Sequence, residues 1–259
     1  MVINEEQAID LCKGDYGKET LKQIASYAAP VFWEFRKAGG ELDQTNGSMF
    51  FVDAGKGIFA VTAKHVFDEY LKDLKASNIT DFGIVPDVFG RPGREIIPIP
   101  LHERLIDEDK ETDVATFSIN ENEMVDIGSH VITTWPPATP QLNFGIGLTG
   151  YPGHERIKQG PKEISFAPYP VLGIPTSISD RQITIQFNDE HTVDTPGFKS
   201  APPNYTTGGM SGGPLLTHVT SGGISYWRLG GVITVGFHEW GLLKASRVDN
   251  LKADGTFNR

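Results

Sequence analysis

The amino-acid sequence predicts a mainly β protein, folded as a barrel or a sandwich. Between residues 31 and 235, short runs rich in β-branched and aromatic residues alternate with turns of Gly, Pro, Asn and Asp, which is the pattern of many strands joined by turns. About a dozen such runs are present, a number typical of barrels and sandwiches. The length of 259 residues suits one such unit or two barrels that share a cleft, and 39% apolar residues are enough for a core.

The first 28 residues predict a helical extension before the strands. Asn4 is the predicted N-cap of a first helix, with Gln7 three residues later and Gly14 just past its end. Residues 18–28 have the apolar spacing of a second amphipathic helix, which Pro30 ends.

The strands predicted after this extension are Val31–Arg36, Ser48–Asp53, Gly57–Thr62, Phe82–Pro86, Val114–Ile119, His130–Thr134, Ile146–Thr149, Val171–Ile174, Gln182–Phe187, Pro214–Thr217, Ser225–Leu229 and Val232–Val235. One helix is predicted among these strands, from Val66 to Lys75, because the apolar residues of this stretch share one helical face. The proline-rich stretch 135–140 has the composition of a connection between two halves, since proline has no backbone N–H to donate to a neighbouring strand. We therefore expect a helical extension in 1–28, one β unit in 29–134 and a second in 135–259.

The net charge and the cysteine content indicate which binding partners and which cellular compartment to expect. The net charge of -10 argues against nucleic acid, whose binding needs clustered Lys and Arg. Cys12 is the only cysteine, so no intrachain disulfide forms, which favours a reducing compartment. The start of the chain lacks a signal-peptide pattern and no run of 18 apolar residues occurs. We expect a soluble, cytoplasmic protein without a membrane partner; a lost leader and secretion without disulfides stay open as alternatives.

The first candidate catalytic motif ends in a histidine. The apolar run from Gly57 leads into Thr-Ala-Lys-His65 and then directly into the predicted helix. Packing at the end of a strand can fix the orientation of a histidine ring, and a neutral imidazole is the most common general base in enzymes. A histidine on its own is more often structural, so this motif needs partners.

The second stretch is Thr112-Asp113-Val-Ala-Thr-Phe, in which an acidic residue begins a buried strand. Aspartate often begins a strand as a turn residue, so this motif is weak alone. Asp107, Glu108 and Asp109 lie nearby, but we interpret them as a solvated polar run that precedes no apolar strand. Asp113 is therefore the better candidate for a carboxylate that orients a histidine.

The third stretch is Gly208-Gly-Met-Ser-Gly-Gly-Pro214, followed by two leucines. Glycines on both sides of Ser211 permit positive φ and a close approach of substrate, so that the amides of Gly209 and Ser211 can converge on one point. Such an arrangement stabilises an oxyanion. Glycine-rich turns with a serine are also common as plain hairpins.

Together the three stretches are specific. Asp113 follows His65 by 48 residues, and Ser211 follows Asp113 by 98, each beside an apolar strand. In order and spacing, Thr-Ala-Lys-His65, Asp113-Val-Ala and Gly209-Met-Ser-Gly-Gly-Pro214 resemble the signature blocks of the trypsin-like, chymotrypsin-fold serine peptidases. The resemblance spans about residues 31–248.

This resemblance implies a fold and a set of roles. The fold would be two six-stranded antiparallel β-barrels with the active site in the cleft between them. His65 would act as general base and then acid, Asp113 would orient it, and Ser211 would form the acyl-enzyme. The amides of Gly209 and Ser211 would hold the oxyanion. The chain would be a serine endopeptidase that acts on a polypeptide substrate.

The resemblance also implies a substrate pocket near the strand Gly231-Val-Ile-Thr-Val-Gly236. Thr234 falls where a hydroxyl often supports the catalytic aspartate, and Val235 and Gly236 would line one side of the pocket. Tyr205 stands at the pocket base, where preference for Lys or Arg would require a carboxylate. His238, just past the strand, is either a pocket-wall residue or an ordinary loop histidine.

One departure from the family concerns regulation. Activatable members carry an aspartate directly before the nucleophile, and this chain has Met210 there. Activation by that ion pair is therefore not available, which places the chain closer to bacterial and intracellular members than to digestive zymogens.

No metal-ligand spacing, phosphate-binding loop or dinucleotide fingerprint is present in the sequence, so we expect no metal and no cofactor. Two other functions stay open. One is a protease-fold binding or regulatory module with little turnover, whose partner would dock on the N-terminal helices or on a missing companion domain. The other is an esterase that uses the same three residues.

Overall fold

A computed structural model describes residues 5–37, 39–76, 79–84, 96–158, 164–186, 193–198, 206–237 and 241–258. Within these ranges the helices are α1 (Glu5–Lys13), α2 (Asp15–Ala25), α3 (Lys64–Lys75), α4 (Leu101–Arg104) and α5 (Glu121–Ile127). The strands of the first half are β1 (Ala28–Arg36), β2 (Leu42–Asp53), β3 (Ile58–Ala63), β4 (Ile79–Ile84), β5 (Leu105–Asp109), β6 (Val114–Ser118) and β7 (Val131–Ile132). Those of the second half are β8 (Ile146–Leu148), β9 (Ile157–Lys158), β10 (Ile164–Ser165), β11 (Val171–Gly173), β12 (Ser177–Ile178), β13 (Gln182–Gln186), β14 (Pro214–Ser221), β15 (Ile224–Phe237) and β16 (Leu242–Arg247).

The first half forms one curled sheet in the order β4-β1-β2-β3-β6-β5. Neighbouring strands along this path are antiparallel, and the short β7 pairs with β2 in parallel. β1 and β3 are buried on both faces over most of their length, and β2 is buried over residues 47–52, because each strand carries a run of apolar residues. One face packs on α3 through Trp33, Phe67 and Tyr70.

The second half forms a sheet in the order β11-β8-β14-β15-β16-β13-β12, and β9 pairs with β10 separately. All of these pairs are antiparallel. β15 is 14 residues long and extends past the start of β14. Ile233 exchanges hydrogen bonds with Gly212 and Gly213 of the turn before β14, and the later residues of β15 pair only with β16 among the described strands. The pairing shifts between Ile233 and Val235, which leaves Thr234 as the extra residue of a bulge.

The predicted fold class is confirmed: the chain is mostly β, with two curled antiparallel sheets and few helices. The strand count differs in detail from six per unit. The first sheet has six strands on its main path plus β7, and the second has seven. Among the described residues no pairing joins the two end strands of either sheet.

Helix α2 and the C-terminal segment connect the two halves. Ile24 of α2 is fully buried in a core that includes Phe50 of the first sheet and Leu229 of the second. Phe257, in the C-terminal segment 248–258, lies in the same core, and Gly255 accepts a hydrogen bond of 2.7 Å from Thr116 Oγ1. The C-terminal segment, which is predicted to belong to the second unit, therefore contacts the first sheet.

Several elements differ from their predictions. The strands predicted at 225–229 and 232–235 are one strand, β15, while β5 and β16 were not predicted as strands. Helix α5 was also missed, although Asn120 and Glu123 form a complete capping box and Gly128 closes the helix in a left-handed conformation. None of the helices in the described ranges has the length and apolarity to cross a membrane.

Candidate active site

His65 lies in the first turn of α3, directly after the buried strand β3. The N-cap residue of α3 is Ala63, which has no side chain able to cap the helix. Asp113 supplies the missing acceptor, because its Oδ1 receives a hydrogen bond of 2.9 Å from the backbone amide of His65. A carboxylate at a helix N-terminus is also favoured by the helix dipole.

The second oxygen of Asp113 contacts the imidazole ring. Oδ2 lies 2.6 Å from Nδ1 of His65. An ionised carboxylate only accepts hydrogen bonds, so the pair is satisfied when Nδ1 carries the proton. Nε2 is then unprotonated, and it has no hydrogen-bond partner among the described residues. This tautomer leaves Nε2 free to take a proton from another group.

Asp113 is held by its position at the end of the loop 110–113 between β5 and β6. Its φ is +57°, a left-handed conformation that aspartate tolerates better than most residues. Its carbonyl accepts a hydrogen bond of 2.8 Å from the amide of Lys64, and Val114 pairs with Ala63 in the sheet. The loop is thus joined to β3 and α3 at the residues that flank His65.

The three neighbouring carboxylates of β5 have a different role from the one predicted. Asp107, Glu108 and Asp109 form part of a strand rather than a solvated run, because β5 pairs with β6. Asp107 Oδ2 accepts from the amide of Phe257 at 3.1 Å, and Asp109 Oδ2 accepts from Asn250 Nδ2 at 2.7 Å. The hydrogen bonds of these two carboxylates therefore stabilise the fold.

Ser211 lies on the tight turn before β14, next to the end of β3. Gly212 packs so closely that a Cβ there would lie 3.0 Å from the amide nitrogen of Ala63, two residues before His65. Ser211 Oγ donates to the carbonyl of Thr234 at 3.3 Å. No hydrogen bond joins Ser211 and His65 in the described ranges, and catalytic contacts in ligand-free enzymes often tighten only when substrate binds.

The turn presents two amides without partners. Among the described residues, neither the amide of Gly209 nor that of Ser211 donates a hydrogen bond. Each belongs to a peptide unit whose carbonyl is held: Gly208 O accepts from Gly153 N at 2.7 Å, and Met210 O accepts from Gly213 N at 3.0 Å. A trans peptide directs its N–H opposite to its C=O. Both N–H groups are therefore fixed in direction.

Thr234 contacts the serine through its backbone. Its carbonyl accepts the hydrogen bond from Ser211 Oγ, and it is the extra residue of the β15 bulge. Its side chain is buried. The predicted hydrogen bond from its hydroxyl to Asp113 is not among those formed in the described part of the chain.

The predicted pocket residues fall into two groups. Val235 and Gly236 lie on β15 and are exposed, and Thr207 packs so closely against Gly236 that any side chain at 236 would collide with its hydroxyl. Thr207 was not identified from the sequence, although it stands in the run that precedes Ser211. Tyr205 and His238 lie outside the described residues. No cluster of three or more His, Cys, Asp or Glu able to hold a metal occurs within the described ranges.

Comparisons with known proteins find similarity among solved structures. No family model and no curated protein matches the sequence. The solved structures that resemble the chain include the tobacco vein mottling virus protease, at 8% identity and a TM-score of 0.48, with 88% of this chain and 79% of that chain covered. They also include the thermostable serine protease AL20 from an extremophilic microorganism, at 16% identity and a TM-score of 0.46, with 87% of this chain and 92% of that chain covered.

Proposed function

We propose that the chain is a serine endopeptidase in which His65, Asp113 and Ser211 form the catalytic triad. The observation that carries this proposal is the double contact of Asp113 with His65, at 2.6 Å to the ring and 2.9 Å to the backbone amide. That contact fixes the tautomer whose Nε2 is a base.

The proposed reaction proceeds through an acyl-enzyme. Ser211 Oγ attacks the carbonyl carbon of the scissile amide and its proton moves to His65 Nε2, while the amides of Gly209 and Ser211 stabilise the oxyanion. The C–N bond then breaks, and the leaving amine takes the proton from His65. A water molecule attacks the resulting ester and gives its proton to His65, which returns it to Ser211 as the carboxylic acid leaves.

A free strand edge favours a polypeptide as the substrate. Residues 235–237 of β15 pair with β16 on one side, and no strand in the described ranges pairs with residues 234–237 on the other side, since β14 pairs only as far as Val232. This edge begins at Thr234, whose carbonyl contacts the hydroxyl of Ser211. An extended peptide can add to such an edge by main-chain hydrogen bonds, which would bring its backbone alongside the nucleophile. A small ester would gain nothing from the edge.

A fluorophosphonate probe tests the nucleophile. We expect the wild type to label and Ser211→Ala to label at background, because the probe reacts only with an activated serine. Ser221→Ala is the matched control, since Ser221 is exposed at the end of β14 and takes no part in the site. Equal labelling of wild type and Ser211→Ala would exclude the proposal.

Turnover of matched ester and amide substrates separates a peptidase from an esterase. Both should be cleaved by the wild type and by Ser221→Ala, and neither by Ser211→Ala. Extension of the amide substrate by two or three residues on the acyl side should raise kcat/KM, because the added backbone reaches the β15 edge. Cleavage of esters alone, with no effect of substrate length, would assign the chain to the esterases.

A further inference from the structure

Ser48 is a fully buried serine on β2 that contacts the nucleophile turn. Its Oγ donates to the carbonyl of Gly209 at 2.8 Å and accepts from the amide of Tyr151 at 2.8 Å. Its backbone amide donates to the carbonyl of Ser211, also at 2.8 Å, and its own carbonyl accepts from Thr62 Oγ1 at 2.6 Å. All of its polar groups are therefore engaged, and two of them hold residues of the turn.

Asn46 lies two residues earlier on β2 and faces the same side of the strand. Its Nδ2 donates to the carbonyl of Tyr151 at 2.8 Å, and its Oδ1 accepts from Arg156 Nη1 at 3.3 Å. The same Nη1 donates to the carbonyl of Gln44 at 3.1 Å. A Cβ at Gly209 would lie 2.6 Å from Asn46 Nδ2, so the turn rests directly on this side chain.

These contacts determine the direction of the Gly209 amide. Gly209 has a φ of +96°, and glycine alone rotates freely in that region. The peptide unit before it is held through Gly208 O by Gly153 N, and the unit after it is held through Gly209 O by Ser48 Oγ. With both units fixed, φ and ψ of Gly209 are fixed as well. Without the Ser48 hydroxyl, the carbonyl of Gly209 would lose its hydrogen-bond donor.

We propose that Ser48 is a positioning residue that holds the oxyanion amides in place, supported by Asn46 and Arg156. Met210, the residue between the two amides, is fully buried in the apolar core of the second sheet and offers no charge that could anchor the turn. The hydroxyl and amide contacts of β2 perform that task, so the oxyanion site is assembled without a separate activation step. This inference rests on the proposed function.

Ser48→Ala tests the proposal by kinetics. We expect kcat to fall by roughly 10- to 100-fold with KM changed less than about 3-fold, because a displaced oxyanion donor weakens the transition state more than the bound substrate. The Ki of a peptide boronate, which forms a tetrahedral adduct with Ser211, should rise by a similar factor. The acidic limb of the kcat/KM profile should not move, since His65 and Asp113 are untouched.

Two further variants keep the test decisive. Asn46→Asp preserves shape but removes the donor to Tyr151, and it should lower kcat about 3- to 10-fold by the same loss of oxyanion geometry. Ser129→Ala removes another buried hydroxyl that donates to a main-chain carbonyl, that of Ala28, and should leave kcat within about 2-fold, because Ser129 does not touch the turn.

The outcomes separate this inference from the proposed function. Wild type that neither labels with a fluorophosphonate nor turns over would overturn both. Turnover by the wild type, with kcat of Ser48→Ala within about 2-fold of it, would overturn the positioning role alone. The positioning role is also overturned if the activity of Ser48→Ala falls only in proportion to its unfolded fraction and returns on cooling. A selective loss of kcat and of boronate affinity supports the role.

Discussion

At the level of single residues, Asp113 performs two tasks with one carboxylate. One oxygen fixes the imidazole ring of His65 and the other caps the helix on which His65 stands. The backbone of Asp113 adopts a left-handed conformation, with φ of +57°. Such conformations in non-glycine residues are typical of functional sites, where the surroundings compensate for their cost. The two tasks can be separated by a substitution that keeps shape and removes charge.

We predict that Asp113→Asn abolishes most activity and leaves the fold intact. The amide oxygen can still accept from the backbone of His65, and asparagine tolerates the left-handed region, so the free energy of unfolding should change by less than about 1 kcal/mol. The amide cannot stabilise an imidazolium, so kcat should fall by about 10³- to 10⁴-fold. Urea unfolding and steady-state kinetics measure the two effects.

Asp126→Asn is the control, because Asp126 is exposed on α5 and away from the site. It should match the wild type in both measurements. A kcat for Asp113→Asn above about a tenth of the wild-type value would show that the carboxylate is not the orienting group.

Residue-level prediction depends on local neighbours that carry information. The three proposed catalytic residues each stand beside an apolar strand in a characteristic short run, namely Thr-Ala-Lys-His65, Thr112-Asp113-Val-Ala and Gly209-Met-Ser-Gly-Gly. Ser48 and Asn46 stand inside β2 without any such pattern. Their contacts lie 161 and 105 residues away in the sequence, at Gly209 and Tyr151. Such residues are recognised only when the chain is folded.

At the level of elements, the C-terminal segment 248–258 holds the loop that carries Asp113. Asp109 precedes that loop, and its Oδ2 accepts from Thr112 Oγ1 at 2.8 Å and from Asn250 Nδ2 at 2.7 Å. Its Oδ1 accepts from the amide of Glu111 at 2.9 Å. One carboxylate therefore joins both the loop and the C-terminal segment. An element that lies outside the site thus contributes to the position of Asp113.

We predict that Asn250→Ala lowers activity through this loop. Loss of one hydrogen bond to a carboxylate should reduce the free energy of unfolding by about 1–2 kcal/mol. Greater freedom of the loop should reduce kcat about 3- to 10-fold, because small displacements of a catalytic group are costly. Asn258→Ala, an exposed neighbour in the same segment, is the control for both measurements. Unchanged kcat in Asn250→Ala would separate the segment from the site.

The same variant should change the response to acid. Burial of Asp109 opposes its ionisation, but hydrogen bonds from Thr112, the amide of Glu111 and Asn250 outweigh that effect and hold its pKa below the ordinary 3.8. Its contribution to stability is therefore present above pH 3.8 and is lost as the pH falls through the lower pKa of the folded state. Asn250→Ala moves the folded-state pKa of Asp109 upward toward 3.8, so the loss of stability on acidification should be smaller than in the wild type and complete at a higher pH. Urea midpoints measured between about pH 5 and pH 2 report this shift.

Prediction of helices and strands was also limited by contacts between residues that are distant in the sequence. The helix predicted from Val66 begins two residues earlier, at Lys64, because the acceptor for its first turn comes from Asp113, in the loop before β6. The polar strand β5 was missed because the donors to its carboxylates arrive from residues about 140–150 positions later. Helix α5 was missed despite a capping box that the local sequence contains in full.

At the level of the whole molecule, the two sheets share one core that the N-terminal helices complete. Ile24 is fully buried between residues of both sheets, and Gly147 of β8 has no room for a side chain because Ile24 fills it. Helix α1 packs on α2 at Gly17, where a Cβ would collide with the backbone of Cys12. The N-terminal helices were predicted as an extension, but α2 is part of the packed interior.

We predict that Ile24→Ala destabilises the whole protein. Removal of this side chain should lower the free energy of unfolding by about 2–5 kcal/mol, because a buried cavity would open where the two sheets meet. Activity measured at low temperature should stay near the wild-type kcat, since Ile24 does not touch the site. Loss of tryptophan fluorescence and loss of activity should coincide in urea if the two halves unfold as one unit. Leu11→Ala is the control, because Leu11 is exposed on α1.

If the N-terminal helices were instead a detachable cover over the cleft, the results would be the opposite. Ile24→Ala would then leave the free energy of unfolding unchanged, and removal of residues 5–25 would raise kcat/KM by opening the cleft to substrate. With α2 inside the core, the same truncation should instead yield a chain that unfolds at lower urea and loses activity in proportion. Because the two views predict opposite signs for one truncation, measurement of unfolding and kcat/KM on that single protein decides between them.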